Sequence, residues 1–437
     1  MIAIKARWVI VSADDVREDA AVLIDGARVA DVVPTDAIPA GCTIIDRSRA
    51  IVHPGFVNAH EHQYGLLSHG IPQLGEVTDF DSFLRAYWWP SIEDRIRKQQ
   101  VLITSQASMA GMIRSGITAF CDCLEGPLAE PDTLIAQGEA IEAAGMRAIV
   151  SLESSERVDE ANGAACLLRN AEAVDHFAAR GGLVRGAICT HTAFTCSERM
   201  IAHAAELASE RGCILQFHLS ESAYEGRWTA AHLGRTPVSI YESAGALGPG
   251  TLAAQVVKTT PEELEVLLAH GVKTAHLPIS NCEVGGGVAP VPAMLGMGFC
   301  PALGTDGYID DFYQVMRAAC LIHKAWAENT VVMPAPVVFR MATEYGAEAL
   351  HLAGVGTLAP GMQADLVVYE DAQLTPVERH NIFDQLVIFG NSDNVRDVYV
   401  AGRAILDDDI LATIDEERAF AELRACAAAF WKGMSAR

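Results

Sequence analysis

Residues 197–221 read SERMIAHAAELASERGCILQFHLSE. Ser197 can cap a helix, because its hydroxyl accepts from the free N–H groups of a first turn, and Gly212 is a natural helix stop. The apolar run CILQFHLS follows, ending in polar residues. The stretch therefore reads as a helix feeding a buried strand, and the texture recurs. Comparable runs are GFVNAH (55–60), TAFCDCL (118–124), RAIVSLES (147–154), LVRGAICTH (183–191), TLAAQVV (251–257), KTAHLP (273–278) and FCPALGTDG (299–307). Helix-like segments separate them. Alternation of this kind implies parallel strands. Eight units over about 270 residues suit a (β/α)8 barrel, which needs about 250. An open doubly wound sheet is the rival, but no GxGxxG follows the first run.

Outside this region the pattern changes. The first fifty residues alternate short β-like runs with turns, and Asp25-Gly26 marks a hairpin. Similar β texture returns in GMQADLVVYE and VRDVYVAGRAILDDD near the end, after a helical stretch at 334–352. The chain has 437 residues and a net charge of −24, which disfavours nucleic acid and anionic membrane surfaces as partners. No apolar window is long enough to span a bilayer, and no signal peptide is visible, so a cytoplasmic protein is expected. The eleven cysteines are scattered and read as reduced thiols, the CxC of Cys121 and Cys123 included.

Chemistry on a barrel sits where strands end. The first run ends in His60-Glu61-His62, the fourth in His191, the fifth carries His218 and then Glu221, the sixth Gln255, the seventh His276 and the eighth Asp306. Residues i and i+2 of a strand share a face, so His60 and His62 can reach one ion. Three imidazoles and a carboxylate meeting at one mouth suit a divalent transition metal such as zinc, iron or manganese.

PGFVNAHEH, FHLSE, AHLPISN and ALGTDG, in that order, resemble the amidohydrolase superfamily, in particular its mononuclear deaminase and chlorohydrolase branch. IHKAW, GTLAPGMQADLVVYE, NIFDQLVIFG and VRDVYVAGRAIL resemble the SsnA-type aminohydrolases. The resemblance implies a catalytic (β/α)8 barrel over 54–356 and a β-sandwich built from 1–53 and 357–437. It implies one divalent ion, zinc first, held by His60, His62, His218 and Asp306. It makes Glu221 the proton carrier and places His191 against substrate; Asn281, in the AHLPISN motif, is a further substrate-side candidate. LVRGAICTH has no lysine, which argues against the two-metal branch with a carbamylated lysine.

One departure stands out. Where the family usually has a histidine at the end of strand six, this chain has Gln255, which can donate a hydrogen bond but cannot shuttle a proton. The implied reaction is attack of activated water on an aminated nitrogen heterocycle, with Asp306 taking the water's proton, Glu221 protonating the ring and ammonia leaving. Loss of chloride, ring-amide hydrolysis and a weakly active binding protein are the alternatives that Gln255 raises. Trp88 and Trp89 lie in a segment expected to cover the barrel mouth, where they can stack on a flat ring or pack in the helix–barrel interface. The expected partners are a small heterocycle and a second copy of the chain.

Overall fold

The first four strands, β1 (Ile2–Ser12), β2 (Asp15–Asp25), β3 (Arg28–Pro34) and β4 (Thr43–Pro54), belong to a sheet that the far end of the chain completes. Its other members are β14 (Leu366–Glu370), β15 (Val395–Val400), β16 (Arg403–Asp407) and β17 (Ile410–Leu411). In this computed structural model, which describes residues 1–73, 75–432 and 434, they form one continuous sheet in the order β17-β16-β15-β14-β4-β1-β2-β3. The sequence reading expected a β-sandwich from 1–53 and 357–437. The sheet curls until its distant turns meet, so that a Cβ on Gly402 would lie 2.1 Å from the Gly26 carbonyl.

Between the two halves run the barrel strands: β5 (Phe56–Glu61), β6 (Ile117–Leu124), β7 (Arg147–Leu152), β8 (Val184–Gly186), β9 (Ile188–Cys189), β10 (Leu215–Leu219), β11 (Thr251–Gln255), β12 (Lys273–His276) and β13 (Ala302–Leu303). All neighbours among them pair in parallel. β8 and β9 are the two halves of the fourth strand, parted at Ala187, whose N–H donates to the Val150 carbonyl at 3.0 Å. The seam between β13 and β5 closes through a parallel bridge from Glu61 to Asp306. Every residue of β5, β6 and β10 is buried, as expected for parallel strands covered on both faces.

The crossover helices follow their sequence signals. Helix Glu198–Arg211 starts where the Ser197 hydroxyl accepts from Met200 N–H and ends at Gly212 with φ +60°. The eleven cysteines are free thiols. Among the described residues no helix is long and apolar enough to cross a membrane.

Candidate metal centre and active site

His60 and His62 lie at the end of β5 and His218 near the end of β10, all buried. The Nε2 atoms of His60 and His62 are 3.1 Å apart, and His218 Nε2 is 3.1 Å from the first and 3.3 Å from the second. These are not satisfied hydrogen bonds. His62 Nδ1–H donates to the Cys123 carbonyl at 2.7 Å. His60 Nδ1 faces Gln216 Oε1 at 3.4 Å, and the Gln216 amide nitrogen is engaged by the Asp122 carbonyl and Ser151, which leaves its oxygen as the acceptor. His60 and His62 therefore carry their protons on the outer nitrogens and turn a lone pair inward, while the outer nitrogen of His218 has no hydrogen-bond partner among the described residues. Inward lone pairs repel unless a cation joins them. Bond lengths of 2.0–2.1 Å from a tetrahedral zinc would set the nitrogens about 3.3 Å apart, close to the spacing found. Asp306 Oδ1 completes the set at 2.8 Å from His62 Nε2.

Asp306 is held on its other side. Gln255 Nε2 donates to its Oδ2 at 3.0 Å, and the Ser280 hydroxyl donates to the same oxygen. Asn281 Nδ2 in turn donates to Gln255 Oε1, which fixes the Gln255 amide with its nitrogen toward Asp306. Burial alone would raise the Asp306 carboxyl, but the imidazoles of His62, His60 and His218 outweigh it and hold it below its ordinary value. Glu221 shifts the opposite way: burial first, then the Asp306 and Glu125 carboxylates, push it well above the ordinary range. Ser220, Gln255, Val256 and Asp306 all have positive φ, so the ends of the fifth, sixth and eighth strands share a conformation that costs L-residues energy and concentrates at functional sites.

The model of the amidohydrolase family matches residues 51–405. The chain belongs to the amidohydrolase family. A 5-methylthioadenosine/S-adenosylhomocysteine deaminase from Syntrophobacter fumaroxidans is 32% identical over 421 residues, covering 92% of each chain. A 5'-deoxyadenosine deaminase from Methanothermobacter thermautotrophicus is 32% identical over 413 residues, covering 93% of this chain and 94% of its own. The crystal structure of an adenosine deaminase from Xanthomonas campestris with bound zinc superimposes with a TM-score of 0.87 at 25% identity, over 100% of this chain and 99% of that one.

In this amidohydrolase the cavity at the metal cluster is lined by His191, Glu221, Gln255 and Trp88 among others, and is roofed by Phe80, Phe83 and Leu84. Its volume is about 40 Å³, room for a few waters. The roof is carried by a wide i→i+5 helix, Phe83–Glu93, with Pro90 inside it. Trp88 donates to the Tyr64 hydroxyl at 3.3 Å and forms part of the wall. Trp89 lies outside this cavity, with Arg157 and Arg85 over its ring at 5.0 and 5.3 Å. Asn281 also stands off the cavity and reaches it through Gln255. His276 is paired with His323 at 3.0 Å, away from the cluster.

Sequence reasoning passed over four residues that border the site: Tyr64, Glu125, Glu153 and Ser280. Glu125 lines the cavity, accepts from the Tyr64 hydroxyl, and sits 3.9 and 3.8 Å from the Nε2 atoms of His62 and His218. Glu125 and Glu153 follow the second and third barrel strands directly, so the rule that strand ends carry chemistry points to them as well.

Proposed function

We propose that this amidohydrolase is a metal-dependent aminohydrolase that removes ammonia from an aminated nitrogen heterocycle, with 6-aminopurine nucleosides first in line. The observation that carries the reading is the convergence of three imidazole nitrogens and the Asp306 carboxylate beside a buried carboxyl, Glu221, which burial and the neighbouring carboxylates push well above its ordinary value. His60, His62, His218 and Asp306 would hold one divalent ion, zinc first. Such an ion lowers the pKa of a coordinated water to about 7 and so supplies a nucleophile at neutral pH.

The chain's own residues do the rest. Asp306 takes the proton of the attacking water; the imidazoles around it hold it below its ordinary value, so it stands ionised beside that water. Gln255 and Ser280 keep the second oxygen of Asp306 occupied and leave the first, which faces His62, as the one that would bind an ion. Glu221 delivers a proton to the ring nitrogen next to the attacked carbon, which stops negative charge from building there; Asp306 passes the water's proton to the amino group, which leaves as ammonia, and the hydroxyl proton of the collapsing adduct returns to Glu221. Gln255 thus orients rather than shuttles, and the proton path runs through Asp306 and Glu221 alone. The relatives named as deaminases of adenosine derivatives support the purine class, and cleavage of a carbon–nitrogen bond is favoured over loss of chloride.

The test is metal content with an ammonia-release screen over adenosine derivatives, guanine, pteridines and triazines. The expected result is zinc in the purified protein, ammonia from an adenosine derivative, and loss of both activity and thermal stability on chelation. A folded, metal-free protein with no ammonia release from any of them would sink the reading.

A further inference from the structure

We propose that the outer face of helix Phe312–Trp326, with the two loops pinned to it, is the contact between two copies of this chain. The helix buries Phe312, Val315, Met316, Ala319 and His323 on its inner side. Its outer side carries large apolar groups that no described residue covers. Leu321 is 44% exposed and Trp326 74%. Val331, in the loop that follows, is 75% exposed, and Phe389, just after helix Ile382–Val387, is 63% exposed.

The helix's own cations hold these groups on one surface. Lys324 Nζ donates to the carbonyls of Thr330 and Val332 at 2.9 and 2.6 Å, and those two residues flank Val331. Arg317 donates to the carbonyl of Ile388 at 2.7 Å and to that of Gly390, and those two flank Phe389. Each cation folds back onto a loop and fixes an apolar side chain beside the helix. The stretch AACLIHKAWA (318–327) has no acidic residue, in a chain with 56 of them. Single exposed apolar residues are normal, but four large ones on one braced surface mark an interface.

The occupant that fits is a second copy. With a net charge of −24, two copies repel across most of their surface. A two-fold axis sets a surface against itself, so it needs a face that is self-complementary. A stretch without carboxylates, whose cations are turned onto carbonyls, meets that need. A basic partner protein would instead find its complement on the acidic remainder of the surface. The four large side chains present roughly 500 Å², more than half of the about 800 Å² that each partner of a stable complex gives up. Ala318 and Ala325, on either side of Leu321, are small enough to let two helices approach. Antiparallel crossing would set the Trp326 end of each copy against the Phe389 end of the other, the reciprocal contact that two-fold symmetry requires.

Sedimentation equilibrium on the full chain at micromolar concentration tests this. Wild type is expected at twice the chain mass. Leu321→Glu and Trp326→Glu each set a carboxylate against an apolar copy of the same face. Each should weaken dimerisation about 30-fold or more, the size of a hot-spot loss, with unchanged circular dichroism. If Leu321→Glu fails to fold, Trp326→Glu, at the exposed end of the helix, carries the same expectation. A monomeric wild type overturns the proposal, and so does one that stays monomeric while binding phosphatidylcholine vesicles through Trp326. A dimer of undiminished affinity in both variants overturns it as well, because it places the contact elsewhere.

Discussion

Gln255 stands where the sequence resemblance led one to expect a histidine, and its bonds say what it does there. Its amide nitrogen donates to Asp306 and its oxygen accepts from Asn281, so the group is locked and has no proton to give. Gln255→Ala should leave metal content unchanged and lower kcat about 10- to 100-fold, because Asp306 loses an orienting donor rather than its role. Asn281→Ala should cost less, and the double variant should be no worse than Gln255→Ala alone, since Asn281 acts through Gln255. Steady-state kinetics on the three proteins check this; additive losses would mean that Asn281 has its own contact with substrate. Glu221→Gln removes the proposed proton source and should lower kcat about 10²- to 10⁴-fold with metal content unchanged. A Glu221→Gln protein of full activity would take Glu221 out of the mechanism.

The elements that bring these residues together are the loops after the strands, and Glu225 ties two of them. Its carboxylate accepts from Ala193 N–H at 2.8 Å and Ser220 N–H at 2.6 Å, joining the loop after His191 to the turn before Glu221. Burial pushes the Glu225 carboxyl up to about 7 from an ordinary 4.5, against the pull of those two hydrogen bonds. The folded chain thus keeps a proton that the unfolded chain has already shed, and stability from this group falls as pH rises between those values. At 1.36 kcal/mol per unit the loss approaches about 3 kcal/mol. Denaturant titrations should find wild type losing stability relative to Glu225→Gln from pH 5 to pH 8; a constant difference would contradict the assignment. These loops also mark what the sequence could and could not tell. The eight runs were legible because a buried parallel strand is a short apolar block with a polar end, and that period led to His60, His62, His218, Asp306 and Gln255. Glu125 and Glu153 carry the same signal in TAFCDCLE and RAIVSLE, but a lone glutamate after an apolar run is as often a surface residue as a ligand, whereas a His-x-His pair is a rarer pattern. Trp89 and Asn281 were not legible as off-cavity residues, since a helix of unusual pitch turned one away and a side-chain bond captured the other.

Across the whole molecule, the terminal sheet and the barrel are joined without a linker: β4 ends at Pro54 and β5 starts at Phe56. Gly55 is the single residue between them. Its N–H donates to the Asp365 carbonyl at 3.0 Å, and a Cβ there would lie 2.1 Å from Thr118 Oγ1 in the second barrel strand. Further ties cross the same boundary. Arg147 of β7 meets both oxygens of Asp365 at 2.9 and 3.2 Å, and Arg114 bonds Asp409 and Glu416. With Arg147 and Asp365 both largely buried, breaking the sheet away would strand an unpaired carboxylate, which is costly. The two parts should therefore unfold as one unit. Gly55→Ala must displace Thr118 or the β4–β5 junction, an overpacking worth about 1–3 kcal/mol. Release of the metal proposed at His60, His62, His218 and Asp306, which would report the barrel, and far-UV circular dichroism, which reports both parts, should follow a single transition in wild type and shift down together in Gly55→Ala. Two separated transitions, or a shift in one signal alone, would show that the terminal sheet folds independently of the site it supports.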